Sequence, residues 1–222
     1  MKPASYTELV TAIADYTHRT DLTSGYVDYF ITEAEAEMNT RLRTRRQLTA
    51  VTPTVSAAGV VTLPTGFAGW KRFQARDATN AWDLDIVTLE SQEDIDPAYG
   101  GTGVPQALIN LGGTWQIWPY TDGTYTYRAY HFAIVPNLTS SATTNWVILN
   151  FPEAYLFGCL AAARGYVQDD PRFPIWEQRF QRAIDRINEQ DSLDSDPRTS
   201  VVLKPNTAMF AGRGRSNIES GV

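Results

Sequence analysis

The chain has 222 residues, 43% of them hydrophobic and 20% charged, and a formal net charge of -6. This composition is that of an ordinary globular protein, and a chain of this length can bury a core without disulfides or metal ions. No apolar run approaches the ~20 residues that cross a bilayer, no secretory signal precedes the first predicted helix, and the negative charge opposes sequence-independent binding to DNA phosphates. We therefore expect a protein made in a cytoplasm, with no membrane as partner.

Residues 1–46 are predicted to form two helices. Ser5 and Glu8 have the spacing of a capping box and precede apolar residues at helical intervals, so the first helix should end near Thr17. The second helix follows Gly25 and carries one apolar stripe, formed by Val27, Phe30, Ile31, Ala34, Met38 and Leu42. This part of the chain is therefore expected to pack through one face of each helix.

A basic cluster lies at the end of the second predicted helix and contains Arg41, Arg43, Arg45 and Arg46. We expect these arginines to pair with the helix dipole or with the acids of a neighbouring subunit rather than with DNA. They are candidates for a structural or intersubunit role, together with Tyr155 and Trp176 in the later helices.

Residues 47–149 are predicted to form a β-rich insertion, because β-branched and aromatic residues lie there between proline and glycine turn signals. The predicted strands are 51–55, 60–63, 70–75, 107–111, 115–118 and 125–132. Gly112 and Gly113 lie between two apolar runs and predict a two-residue hairpin. The acidic segment 89–96 is expected to form one or two helical turns.

Residues 150–194 are predicted to form a helical hairpin. Its first helix should have Asn150 as the cap and Pro152 in the first turn, and should run to about Gln168. Apolar residues nearly encircle this helix, so we expect it to be buried in its own fold or between subunits. The second helix should run from Phe173 to about Asp194, with a narrow apolar stripe formed by Trp176, Phe180, Ala183, Ile184 and Ile187.

Residues 195–222 have too few apolar residues to fold alone. Fully extended, they would reach ~90 Å at ~3.3 Å per residue. We interpret them as an extended tail that docks on a partner, and a frayed terminus without a role is the alternative. The predicted docking residues are Val201, Val202, Leu203, Lys204, Pro205, Asn206, Met209 and Phe210.

No motif for catalysis, for a cofactor or for a metal ion is found in the sequence. Cys159 lies in an apolar run, which predicts a buried and inert thiol, and His18 and His131 are expected to have structural roles. The carboxylates that could form a glycosidase-like pair are Asp83 and Asp85, or Glu90, Glu93 and Asp94. Solvated loop acids are the preferred interpretation of these residues. We predict that the protein is not an enzyme.

The predicted elements together give an α+β fold: a helical bundle built from the N- and C-terminal helices, a β-rich insertion and an extended C-terminal tail. The order of several motifs in this fold resembles that of the phage head-to-tail adaptor proteins, the connectors of short-tailed and related phages. These motifs are YTEL at 6–9, FITEAEAEMN at 30–39, LPTGF at 63–67, WPYTDGTY at 118–125, NWVI at 145–148, PEAYLFG at 152–158 and DDPR at 169–172. The resemblance covers about residues 1–190.

The resemblance implies a ring, usually of twelve copies, that docks beneath the portal protein of the virion and lets genomic DNA pass through its channel. The helices would build the ring wall, the insertion would face outward or tailward, and the tail would reach into the portal. Tail hub, nozzle or tail-fibre proteins would then assemble on the ring. An acidic channel repels phosphates, so the DNA should slide without being specifically bound.

Two other functions remain open from the residues alone. A tail-fibre or baseplate attachment module would use the β-rich insertion, with its tryptophans and tyrosines, as its working surface. A cell-wall hydrolase would use the acidic residues named above.

Overall fold

Helices from both ends of the chain and strands from its middle form the fold in the computed structural model, which describes residues 2–19, 21–87, 101–121, 123–167 and 170–195. The helices in these residues are α1 (Tyr6–Thr17), α2 (Ser24–Arg41), α3 (Trp146–Asn150), α4 (Pro152–Ala162) and α5 (Phe173–Ser195). Short 3₁₀ turns follow α2 and α4, at Arg45–Gln47 and Ala163–Gly165. The α+β fold class predicted from the sequence is confirmed.

The start of α1 differs slightly from the predicted capping box. The side chain of Ser5 accepts the backbone N–H of Glu8 at 3.4 Å, as predicted. The Glu8 carboxylate, however, accepts the N–H of Ala4 at 2.7 Å instead of that of Ser5. The helix ends where expected, because His18 adopts a left-handed conformation with φ 53° and its backbone N–H donates to the carbonyl of Ala14.

The two apolar stripes predicted for the second and the last helix are confirmed, since every residue in them is buried. The stripe on α2 and just beyond it consists of Val27, Phe30, Ile31, Ala34, Met38 and Leu42. The stripe on α5 consists of Trp176, Phe180, Ala183, Ile184 and Ile187. Both belong to one hydrophobic core, which also includes the buried residues of α1, α3 and α4.

Helix α4 is buried on all sides by its own subunit. The seven residues from Ala154 to Leu160 are all buried, and α1, α2, α3 and α5 all pack against the helix. Of the two environments expected for this helix, burial in its own fold is the one observed. Its apolar surface therefore does not require a second subunit as cover.

Two features of this region differ from the prediction. Asn150 does not cap α4 as predicted, because it is the last residue of the unpredicted helix α3, and the N-cap of α4 is Phe151. Helix α3 is itself capped by Asn145, whose Oδ1 accepts the N–H groups of Val147 and Ile148, each at 3.0 Å. Helix α4 also ends at Ala162, well before Gln168, which lies outside the described residues.

The early end of α4 has a tertiary cause. Gly165 weakens the helix locally. Beyond it, the ring of Tyr166 packs on Tyr26 of α2, with the two ring centroids 4.1 Å apart. This contact holds Tyr166 against α2, and the sequence of the helix alone does not reveal it.

The strands are β1 (Leu48–Val51), β2 (Val60–Val61), β3 (Phe67–Arg76), β4 (Ala81–Asp83), β5 (Asp85–Val87), β6 (Thr102–Gly103), β7 (Ala107–Leu111), β8 (Thr114–Trp118), β9 (Tyr120–Thr121) and β10 (Thr126–Ala133). One sheet has the order β1-β10-β3-β4, a second has the order β2-β8-β7-β5, and β6 pairs with β9. All ladders are antiparallel except β5 with β7 and β6 with β9. Residues of the two larger sheets share one hydrophobic core, in which Phe73, Leu108 and Ile117 are fully buried.

Most of the strand predictions are confirmed, including the hairpin between β7 and β8. Gly112 and Gly113 have φ of 61° and 94° and form its turn. The predicted strand 51–55 is wrong, since β1 ends at Val51; Pro53 has no N–H to donate to a ladder. The predicted strand 60–63 is reduced to β2. The short strands β4, β5, β6 and β9 were not predicted, and the segment 89–96 lies outside the described residues.

The chain between β10 and α3 joins the strands to the helical core. Val135 and Leu138 are buried in that core. The N–H of Val135 donates to the side chain of Asn39 at 2.7 Å, and the N–H of Leu138 donates to the Glu35 carboxylate at 2.7 Å. Two side chains of α2 therefore hold this connection.

Candidate functional site

The arginine cluster after α2 is engaged within its own subunit. Arg41 forms an ion pair with Glu37 one turn earlier, at 2.6 Å, and also donates to the side chain of Gln181 on α5. Arg43 donates to the carbonyls of Asn39 and Leu42, each at 2.7 Å. These two carbonyls lie at the C-terminal end of the helix, where a cation is favoured by the helix dipole.

The other two arginines reach the elements that close the helical core. Arg45 makes two hydrogen bonds to Asp191 on α5. Its backbone N–H donates to the Asp191 carboxylate at 2.9 Å, and its guanidinium group donates to the Asp191 backbone carbonyl at 3.1 Å. The guanidinium of Arg46 lies 5.9 Å from the ring centroid of Trp146 on α3. The cluster thus joins the end of α2 to α3 and α5. A role between subunits stays a prediction.

The two aromatic candidates also lie in the interior of the subunit. Trp176 is buried, and its ring is within 5.1 Å of Phe173 and 5.0 Å of the Arg172 guanidinium. Tyr155 is fully buried at the centre of α4. Both side chains fill the helical core and offer no surface to a partner in the isolated subunit.

A buried polar network surrounds Tyr155. Its hydroxyl donates to Glu35 at 2.8 Å and accepts from the side-chain amide of Asn145 at 2.5 Å. The same amide donates to the carbonyl of Pro136 at 2.6 Å. Since Leu138 also donates to the Glu35 carboxylate, the network connects α2, α4, the cap of α3 and the connection from the β insertion.

Burial shifts the ionisation of both acids in this network. Glu35 is only 5% exposed, and burial raises the pKa of its carboxyl above the ordinary value of 4.5, against the opposing effect of the bonds from Leu138 and Tyr155. Burial, together with the nearby Glu35 charge, also raises the pKa of the Tyr155 phenol. Folding therefore shifts the ionisation of Glu35 towards its protonated form relative to the unfolded chain.

This shift predicts a pH dependence of stability. A raised folded-state pKa contributes stability below the unfolded value, and that contribution is lost as the pH rises through the folded value. We expect wild-type protein to lose free energy of unfolding relative to Glu35→Gln as the pH rises above 4.5, because glutamine does not titrate. Urea unfolding at several pH values would measure the difference.

The control for this experiment is Glu33→Gln, which removes an exposed carboxylate from the same helix. Its stability profile should run parallel to that of wild-type protein. If the profile of Glu35→Gln also runs parallel to wild type, the raised pKa of Glu35 is contradicted.

Sequence reasoning did not single out Glu35, although a signal was present. Glu35 follows Ile31 by four residues and precedes Met38 by three, so it lies beside the apolar stripe of α2. An acid at such a position needs buried partners. Those partners, Leu138 and Tyr155, are distant in sequence, and only the tertiary structure identifies them.

The described residues do not form an acid pair suited to hydrolysis. Asp83 is exposed and accepts two bonds from Arg72, at 2.7 and 2.8 Å, and this arginine lowers the pKa of the Asp83 carboxyl. A general acid needs the opposite shift. Asp85 is exposed on β5, and Glu90, Glu93 and Asp94 lie outside the described residues.

The remaining reactive side chains are buried or structural. Cys159 is buried, as predicted, and burial raises the pKa of its thiol. His131 is buried beside Phe67 and Trp70, and burial lowers the pKa of its imidazole. In the described part of the chain, no group of three or more potential metal-binding side chains is found.

The predicted docking tail, apart from Ser195, lies outside the described residues. Its predicted contact residues are all among the residues not described: Val201, Val202, Leu203, Lys204, Pro205, Asn206, Met209 and Phe210.

Among the helices within the described ranges, none has the length and apolar character needed to cross a membrane.

Comparison with known protein families gives one match. A family model described as SU10 adaptor protein matches residues 4–203. The match therefore begins before α1, includes every described helix and strand, and continues past the end of α5. No curated protein matches the chain.

Proposed function

The chain belongs to the SU10 adaptor protein family, in agreement with its resemblance to phage head-to-tail adaptors, and on this premise we propose that it is a structural subunit joining a phage head to its tail. Its place is the virion, after synthesis in the host bacterial cytoplasm. The observation that carries this proposal is the length of the family match, which spans both the helical core and the β insertion.

In the proposed assembly, copies of the chain form a ring beneath the portal protein, with twelve copies as the resemblance implies. The ring continues the DNA channel, and tail hub, nozzle or tail-fibre proteins assemble on it. Residues 1–46 and 150–194 form the helical bundle, 47–149 form the insertion, and 195–222 form the docking tail. The net charge of -6 supports free passage of DNA, because like charges repel.

The proposed role is structural and not enzymatic. The ion pair between Asp83 and Arg72 supports this, because it lowers the pKa of the Asp83 carboxyl and so opposes a role as general acid. The polar network around Tyr155 also supports it, because its donors and acceptors are satisfied by the protein itself and are closed to solvent.

The family match supports the proposed docking tail. It continues beyond Ser195, the last residue of α5, to Leu203, and so includes the first apolar cluster of the tail. A segment without relation to the adaptor function would not be expected to belong to the family pattern. We therefore propose that Val201, Val202 and Leu203 contact the portal.

The test is the association of the full-length chain with the portal ring encoded by the same phage, measured by native mass spectrometry. Wild-type protein should add to the portal in a fixed ratio. The double substitution Val202→Asp and Leu203→Asp should weaken this association at least about tenfold, since it places charges in the proposed apolar contact.

The matched control is Ser216→Asp with Asn217→Asp, which adds the same charge to the tail outside its apolar clusters. This variant should bind as wild-type protein does. Equal weakening by both variants would contradict a specific contact at Val202 and Leu203. If wild-type protein does not associate at any salt concentration, the portal proposal fails and the tail-fibre or baseplate attachment module becomes the preferred function.

A further inference from the structure

Helix α5 has opposite chemical character on its two flanks. On the flank toward α2, Gln181 accepts a bond from Arg41, and Asn188 donates to the Arg41 carbonyl at 3.4 Å. Glu177 precedes Gln181 by one turn and lies on the same flank. The other flank carries arginines and faces the start of α4. Two different surfaces thus lie on either side of one helix.

The first surface is an acidic groove between α2, α4 and α5, with a volume of about 520 Å³. Its lining includes Glu33, Glu37 and Glu177. Glu37 is paired with Arg41, whereas neither Glu33 nor Glu177 has an ion pair within the described ranges. Arg41 and Arg164 also line the groove, so its three carboxylates exceed its two arginines by one negative charge.

Exposed tyrosines extend this surface along α2. Tyr29 is 60% exposed, and Glu33 one turn later on α2 raises the pKa of its phenol. Tyr26 is 39% exposed and packs on Tyr166. Carboxylates beside aromatic rings are the environment that guanidinium groups prefer, through charge-assisted hydrogen bonds and cation–π contacts. The surface is therefore suited to an arginine-rich partner.

The second surface is an arginine flank, formed by Arg179, Arg182 and Arg186 on α5. Their spacing of three and four residues places them in one row, and all three are exposed. Lys2 lines the same cavity, which has a volume of about 410 Å³. Glu153 pairs with Arg186 at 2.9 Å. Such a row is notable in a chain whose net charge is -6.

We propose that the acidic groove of one copy binds the arginine flank of a second copy. The inference rests on the proposed function, because it names the surfaces through which adaptor subunits meet. The two surfaces differ, so the contact is heterologous, and repeated contacts of this type form a ring when the rotation closes. Arginine and tyrosine are also the residue types enriched at protein interfaces.

Two charge-reversed variants test this contact. The groove variant carries Glu33→Arg and Glu177→Arg, and the flank variant carries Arg179→Glu and Arg182→Glu. Each should self-associate at least about tenfold more weakly than wild-type protein, because like charges then oppose each other across the contact. Self-association is measured by sedimentation of the full-length chain at low salt, alone and on the portal ring.

An equal mixture of the two variants gives the decisive result. The groove variant keeps a wild-type arginine flank and the flank variant keeps a wild-type groove, so the copies can alternate around a ring with an even number of subunits. Every second contact then joins a wild-type groove to a wild-type arginine flank. The other contacts join an arginine-bearing groove to a glutamate-bearing flank, so their charges are still opposite and attract each other. We expect the mixture to regain most of the wild-type association.

The matched controls reverse two charges on other surfaces. Asp15→Arg with Asp85→Arg matches the groove variant, and Arg76→Glu with Arg128→Glu matches the flank variant; all four residues are exposed. Both controls should associate as wild-type protein does. Folding of each variant is checked by thermal unfolding.

The possible outcomes separate this contact from the proposed function. If wild-type protein fills the portal ring and both variants do so equally well, the contact is wrong and the adaptor function stands. If the mixture stays as weak as the variants, the flank meets the portal or DNA, and the contact is again wrong. If wild-type protein ignores the portal but self-associates with the expected charge dependence, the contact stands and the portal proposal fails. If wild-type protein does not self-associate either alone or on the portal ring, both the subunit contact and the adaptor function are contradicted.

Discussion

Replacing Gly158 with valine is expected to lower the free energy of unfolding by about 3 kcal/mol, the upper part of the range for overpacked cores. Gly158 on α4 faces Ala34 on α2 and Phe180 on α5. A Cβ atom at this position would be 2.9 Å from the Cβ of Ala34 and 2.9 Å from a ring carbon of Phe180. Both neighbours are buried, and α4 is enclosed by other helices, so neither can move away without disturbing the core.

The matched substitution is Gly25→Val near the start of α2, where a Cβ would meet nothing within 4 Å. This control carries the same side chain in a helix and should cost less than about 1 kcal/mol. Chemical denaturation of the full-length chain measures the free energy of unfolding of both variants. Equal losses at the two positions would show that the close approach of the three helices does not limit the size of residue 158. Gly158→Ala should fall between wild type and valine.

Replacing Glu35 with alanine is expected to cost about 3 kcal/mol or more of unfolding free energy. The substitution leaves two buried donors, the Leu138 N–H and the Tyr155 hydroxyl, without their acceptor, and each unsatisfied group costs ~1–3 kcal/mol. Glu35→Gln keeps an oxygen that can accept both bonds and should cost much less. The measurement is again chemical denaturation.

Glu33→Ala supplies the control, since Glu33 lies on the same helix but is exposed. It should change the stability by no more than about 0.5 kcal/mol. Tyr155→Phe should cost about 1–2 kcal/mol, because it removes one donor to Glu35 and one acceptor from Asn145. A loss at Glu35→Ala no greater than that at Glu33→Ala would mean that the network does not hold the helices together.

The amphipathic helices and the longer strands could be predicted because their signals are local. The stripe from Val27 to Leu42 has helical spacing within one element, and the turn at Gly112 and Gly113 depends on two adjacent residues. Such patterns depend on the periodicity of the backbone and not on distant partners. The corresponding elements were therefore found with nearly correct bounds.

The errors arose where a distant contact decides the local structure. Helix α4 ends early because Tyr166 packs on α2, and β5 forms through parallel pairing with β7 about 20 residues later. Asn145 caps α3 only because its Oδ1 lies within 3.0 Å of the N–H groups of Val147 and Ile148, and Pro152 is a second helix start seven residues later. Glu35 was missed because its partners lie on other elements.

The two charged surfaces of α5 show a further limit of sequence reasoning. The spacing of Arg179, Arg182 and Arg186 is visible in the sequence, but their meaning depends on which flank of the helix is covered. Helix α2 contacts one flank through the bond from Arg41 to Gln181, and the start of α4 contacts the other flank through the ion pair of Glu153 with Arg186. The sequence alone therefore does not distinguish these arginines from other exposed residues of the helix.

The pairing of β1 with β10 has a consequence for the evolution of the particle. Leu48 is opposite Phe132 in this ladder, so the chain leaves the helical core and returns to it at adjacent points. A segment closed in this way can lengthen, shorten or change its sequence while its two ends stay in place. The insertion can therefore change in length or sequence without a change in the helical core. For the same reason, the insertion is the natural place to graft a foreign domain or a label.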